Sequence, residues 1–235
     1  MEEIILCGIA MSVIKKRIKN MYIRVLPPDG KEQITVPYTV SDDLIRRFAI
    51  SKIQWIKKQK KSFEGQPRLT KRQYITGESI YFWGRRYRLD VQYSDAGSHV
   101  LPAGEKLVLE VRKESTPKQR EHVVNEWYRA QMKQAVPKIL KKCEYIVGVN
   151  ASEWRIKNMR TKWGTCNIEK KRIWLNLQLV KKTPECLEYV IIHELVHLLE
   201  RNHNDRFFGY MDSFCPDWRI RKAELNQQTL DCFEG

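Results

Sequence analysis

Residues 190–208 read VIIHELVHLLERNHNDRFF, and the spacing of the three histidines in this run decides what is expected around it. On an α-helix, His193 and His197 stand one turn apart on the same face and can share one metal ion. Glu194 follows the first histidine. This is the H-E-x-x-H arrangement, in which two imidazoles hold Zn²⁺ and the carboxylate takes a proton from water bound there. His203 comes six residues after His197, far enough for the helix to end and the chain to turn back with a third imidazole. Three neutral imidazoles leave one tetrahedral position open, the mark of a catalytic rather than a structural site, and water bound there has a pKa of about 7. One zinc ion on His193, His197 and His203, with Glu194 as general base and then acid, is the expectation. Glu200 is the rival third ligand, being at i+7 from His193 and i+3 from His197; failing that, it is a partner behind the ligands. Thr183 and Pro184 read as the N-cap and first position of this helix, and Asn202 as a left-handed cap ending it.

Upstream, residues 159–167 read MRTKWGTCN and residues 173–179 read IWLNLQL, while the histidine run closes on Phe207 and Phe208. Together these segments resemble the YgjP-like metallopeptidase family, which is similar to the SprT and WLM groups that include DNA-associated proteases. The resemblance runs from around Lys15 to Asp217 and is sharpest over residues 155–218. Thr165 stands where serine is common and Phe208 where Trp or Tyr is common. The histidine spacing also equals that of the metzincins, but Glu200 replaces their glycine. What the resemblance implies is a zincin-like C-terminal domain that hydrolyses peptide bonds in a protein or peptide substrate. In zincin-like enzymes a strand edge beside the metal helix pairs with an extended peptide, and residues 159–167 are the candidate edge. The implied substrate-binding residues are Arg160, Lys162, Trp163 and Gly164, with Arg160 and Lys162 biasing the cleft toward acidic groups.

The 235 residues carry a net charge of +15 and are 42% apolar, enough for a buried core. Charge is uneven: residues 1–90 hold 19 basic and 9 acidic side chains, a net of +10 that leaves +5 for the rest. Such a surface attracts nucleic acid or other polyanions. The six cysteines are scattered without C-x-x-C pairs, which excludes a zinc ribbon and a disulfide framework and fits free thiols in a reducing cytoplasm. The apolar stretch over residues 4–14 has acids before it and bases after it, the reverse of a secretory signal, and it is too short to span a bilayer. No membrane association is expected.

In chain order, residues 14–37 alternate around Pro27, Pro28, Asp29 and Gly30 and read as a β-hairpin. Ser41 opens a helix to about residue 62, with Ile45, Phe48, Ala49, Ile53 and Ile56 on its apolar side and Arg46, Arg47, Lys57, Lys58, Lys60 and Lys61 opposite. Strands are expected over 79–83, 87–93 and 106–111. The run Tyr81, Phe82, Trp83, Gly84, Arg85, Arg86, Tyr87, Arg88 interleaves aromatics with arginines, as single-strand binders do, although hairpin packing accounts for the same residues. No internal repeat is visible. A composition shift near Pro117 places the expected boundary between a basic, strand-rich part (1–115) and a zincin-like part (116–235). The next helix reaches Gly148 and should be kinked or divided at Pro137. The whole is an α+β protein. Two other readings stay open: a nucleic-acid-binding adaptor with a mainly structural zinc site, and a metal-dependent hydrolase of a non-peptide bond.

Overall fold

The computed structural model describes residues 2–6, 8–26, 31–64, 72–159 and 161–227. The fold is mixed α+β, and its contacts divide the chain into two compact units on either side of residue 70.

In the first unit, β1 (Glu2–Leu6), β2 (Ile9–Lys16), β3 (Tyr22–Leu26) and β4 (Lys31–Pro37) form one sheet in the order β1-β2-β4-β3. The expected hairpin exists as the antiparallel pair β3/β4, while β2 runs parallel to β4 and is hairpinned to β1 instead. The turn assigned to Pro27, Pro28, Asp29 and Gly30 lies outside the described residues. Alternation puts Met11, Val13, Ile34 and Val36 on one face, and they cluster with Ile45, Ala49 and Ile56 from the following helices. The single expected helix is two, α1 (Asp42–Ser51) and α2 (Ile53–Glu64), separated at Lys52.

The second unit begins with β5 (Ser79–Phe82), β6 (Arg85–Tyr93), β7 (His99–Ala103) and β8 (Lys106–Val111), in the order β5-β6-β8-β7. This is the strand order of the first sheet, with the same antiparallel, parallel, antiparallel sequence of pairings. Each sheet then passes into a helix behind a hydroxyl N-cap, Ser41 or Thr116. The first hairpins match at a spacing of 76 residues, with Gly8 at φ 76° and Gly84 at φ 79° in the turn. An internal structural repeat is therefore present although the sequence reading found none.

Residues 79–111, grouped with the N-terminal part on composition, share one core with the helices that follow. Ile80, Leu89, Leu107 and Leu109 cluster with Val124, Tyr128 and Met132 of α3 (Pro117–Val147). The Tyr128 hydroxyl donates to the Tyr81 carbonyl at 2.6 Å. Helix α3 opens with a capping box between Thr116 and Gln119 and runs unbroken through Pro137, so the expected division there does not occur. A three-stranded sheet follows, built from β9 (Glu153–Lys157), β10 (Gly164–Asn167) and β11 (Arg172–Asn176) in the order β10-β11-β9, so β10 is an edge. The chain then makes a 3-10 turn (Leu177–Lys181) and enters α4 (Pro184–Val196), α5 (Asp205–Phe214) and α6 (Trp218–Gln227). Helix α4 buries nine of its thirteen residues, so its position is set by packing on both sides.

Candidate metal centre

Thr183 and Pro184 start α4 as the sequence predicts, although the Thr183 hydroxyl donates to Glu224 Oε1 at 3.1 Å rather than accepting from its own helix. The helix ends at Val196 and the chain tightens into turns, with the amides of Leu198 and Leu199 donating to the carbonyls of Leu195 and Val196 at 2.9 Å. Asn202 is absent from the residues with positive φ, so it is not the left-handed cap expected of it. Its amide instead donates to Glu200 Oε1 at 3.1 Å, and Asn204 then caps α5 by accepting from the Phe207 amide at 3.0 Å. These short turns carry His203 back over the helix.

The result is a cluster of three imidazoles. One ligand nitrogen from each of His193, His197 and His203 lies within 4.8 Å of the others, and the Nε2 atoms of His193 and His203 are 3.1 Å apart. Nitrogens bound at 2.0–2.1 Å to one tetrahedral ion stand about 3.4 Å apart, so the donor set fits zinc with small ring movements. Phe207 is fully buried beneath all three rings, with centroids 4.6–5.0 Å away. Nδ1 of His197 lies 3.3 Å from the Glu200 carbonyl, and as an N–H donor it leaves Nε2 with a free lone pair. Glu200 thus meets the imidazole cluster through its backbone carbonyl, while its Oε1 accepts from the Asn202 amide.

Electrostatics favour the neutral imidazoles that a metal requires. Burial, reinforced by the neighbouring His197, His203 and Lys222, pushes His193 down to about 3, and burial lowers His197 as well. Glu194 is 4% exposed, and burial pushes its carboxyl up to about 8 despite the opposing pull of Lys162.

The imidazoles and Glu194 open into a cleft of about 930 Å³. Lys162, Trp163 and Gly164 all line it, while Arg160 lies outside the described residues. Edge strand β10 forms one wall, held close to α4: a Cβ added to Gly164 would fall 2.6 Å from Glu194 Oε1 and 2.9 Å from Val190 Cγ1. The loop before β10 is fixed by the buried Asn176, whose Nδ2 donates to the carbonyls of Met159 and Lys162 at 2.8 Å each. Sequence reasoning missed Tyr189, Arg201, Lys222 and Leu225 as cleft residues. Tyr189 and Leu225 carried a signal only as buried positions, and Lys222 lies far along the chain from the motif. Cys166 also lines the cleft; burial and Glu194 push its thiol up to about 11, so it is a poor ligand beside three imidazoles.

Three of the four aromatics of residues 81–88 pack on the core. Phe82 lies 4.6 Å from the Trp127 ring, and Trp83 and Tyr87 pack on the same cluster. Arg85, Arg86 and Arg88 are exposed, so the run is a packed hairpin without a row of free rings for bases to stack on.

None of the curated proteins matches this chain. Among solved structures it is similar to the metallopeptidase zymogen abylysin of Pyrococcus abyssi, at 20% identity and a TM-score of 0.35 over 40% of this chain and 97% of that one. It is likewise similar to the zymogen jannalysin of Methanocaldococcus jannaschii, at 23% identity and a TM-score of 0.33 over 39% and 96%. The model of the YgjP-like metallopeptidase domain matches residues 19–228, a span that takes in the three histidines, Glu194 and every wall of the cleft; the chain belongs to that family and is a metal-dependent peptidase.

Proposed function

We propose that this protein is a zincin-like peptidase using one zinc ion held by His193, His197 and His203, with Glu194 moving the proton. The observation that carries the reading is the convergence of three ligand nitrogens within 4.8 Å beside a buried carboxyl in an open cleft. A zinc ion held there supplies the Lewis acid that polarises the peptide carbonyl and lowers the pKa of water. Glu194 takes a proton from the attacking water and delivers it to the leaving amide nitrogen. Burial makes the Glu194 carboxylate a stronger base than an exposed one, which suits proton abstraction from the attacking water. The substrate is an extended peptide pairing with β10, whose outer edge has no strand partner among the described residues. Lys162, Trp163 and Gly164 flank that edge, and Arg160 belongs to the same loop in the sequence.

The test combines zinc content with cleavage of an unfolded-protein mixture by wild type and Glu194→Gln. One equivalent of zinc in both, with new chain ends from wild type alone, supports the reading; the absence of zinc from both sinks it. Zinc in both with no peptide cleaved by either transfers weight to a non-peptide bond or a structural site. Nucleic-acid association rests on the net charge of +15 alone, and salt-dependent binding of single-stranded DNA is its test. A cytoplasmic setting is supported by the free thiols of Cys143, Cys166, Cys186 and Cys215. No helix among the described residues is long and apolar enough to cross a membrane.

A further inference from the structure

Three cations line the cleft from three different elements: Lys162 from the loop before β10, Arg201 from the turn after α4, and Lys222 from α6. All three are exposed, and none has a carboxylate within ion-pair distance among the described residues. Arg219 and Arg221, just before Lys222 on α6, are by contrast paired with Asp212 and Asp217, and Lys142 and Arg172 of the same unit are paired with Glu188 and Glu153. Against them, the cleft walls offer two carboxylates, the exposed Glu169 and the buried Glu194.

We infer that Lys162, Arg201 and Lys222 form a receptor for carboxylates of the bound peptide, so that this cleft selects acidic substrates. The inference rests on the peptide-binding reading of the cleft given above. A peptide carboxylate supplies these cations with an ionic partner on binding, Lys222 otherwise resting over the Trp218 ring at 5.6 Å from its centroid. The carboxylate comes either from Asp and Glu side chains flanking the scissile bond or from a peptide C-terminus; both present the same chemistry to the site.

The experiment measures binding of fluorescent peptides of one sequence, carrying Glu, Gln or Lys at flanking positions and ending in a free acid or an amide, to full-length, zinc-loaded Glu194→Gln protein. Expected is an order Glu over Gln over Lys that weakens with salt, with a gap of about fivefold for each cation engaged, the size of one exposed ion pair. Preference for side-chain acid assigns the receptor to residues beside the scissile bond, and preference for the free C-terminus assigns it to chain ends; both support the receptor. Lys222→Glu and Arg201→Glu should each shift the preference toward Lys. Lys133→Glu, the same charge change on an exposed position of α3, should leave it unchanged, with zinc content and thermal midpoint checking that every variant folds. Equal binding of Glu and Lys peptides, no binding of any, or an equal shift from Lys133→Glu overturns the inference. Selective binding by Glu194→Gln with no cleavage by wild type leaves the receptor standing and removes the peptidase reading instead.

Discussion

In the proposed mechanism Glu194 meets two demands, since it must be dry enough to be a strong base and close enough to β10 to face a bound peptide. Gly164 allows the second. Its φ is not in the left-handed region, so it is required for space and not for backbone freedom. Gly164→Ala should push the Glu194 carboxylate aside, lowering kcat by about 100-fold while zinc content stays at one equivalent. Unchanged kcat with zinc retained would show that the carboxylate has room to spare. Burial has a measurable consequence as well. In metal-free protein the Glu194 carboxyl is raised to about 8, so between about pH 4.5 and 8 the folded state keeps a proton that the unfolded state has lost. Stability therefore falls as pH rises through that window. Glu194→Gln, which mimics the protonated form, should stabilise the metal-free protein by roughly 2–4 kcal/mol at pH 8 and by almost nothing at pH 4. Denaturant titrations in chelator at the two pH values check this, and an equal effect at both refutes it. At this scale His193, Glu194, His197 and His203 were legible because metal chemistry fixes residue type and spacing together. Tyr189 and Lys222 were not, because a helical pattern says which face is buried and not what lies across from it.

At the scale of elements, the segment before β10 is organised by one amide. Asn176 is 1% exposed, donates to two carbonyls of the loop, and accepts at Oδ1 from the amides of Met159 and Gln178 at 3.3 and 3.1 Å. Asn176→Ala strands these groups and should destabilise the fold by about 3 kcal/mol. Hydrogen exchange should quicken over residues 159–163 beyond the global change. An unaltered denaturation midpoint would show that water replaces the side chain without loss. None of this was readable beforehand, because residues 172–180 pattern as one strand; the asparagine in fact ends β11 and caps the 3-10 turn through the Gln178 amide. Strand β7 escaped for another reason. It is an edge with one buried residue, Val100, and it contains Pro102, so it carries neither an apolar alternation nor a strand composition. The start of helix α4 was legible because Thr183 and Pro184 announce it locally.

For the whole molecule, the repeated sheet explains why composition and contacts put the boundary in different places. Across the 76-residue spacing Ile4 matches Ile80 and Gly8 matches Gly84, but Ile9, Ala10 and Ser12 stand opposite Arg85, Arg86 and Arg88, so little beyond alternation and a turn glycine survives in the letters. Topology does not need more, because inward positions require only apolar side chains of fitting size. The two copies nevertheless belong to different cores: the first sheet closes on α1 and α2, and the second closes on α3 and the 3-10 turn. Two separate buried clusters among the described residues predict independent folding. A fragment of residues 71–235 should therefore keep its far-ultraviolet dichroism, bind one zinc ion and unfold in one transition, whereas a fragment beginning at residue 116 should aggregate or stay unfolded, because it lacks Ile80, Leu89, Leu107 and Leu109 from its core. The comparison decides between the boundaries. A folded, zinc-binding 116–235 fragment would return the second sheet to the N-terminal part, while failure of 71–235 alongside a folded full-length chain would make the first unit a necessary part of the catalytic one.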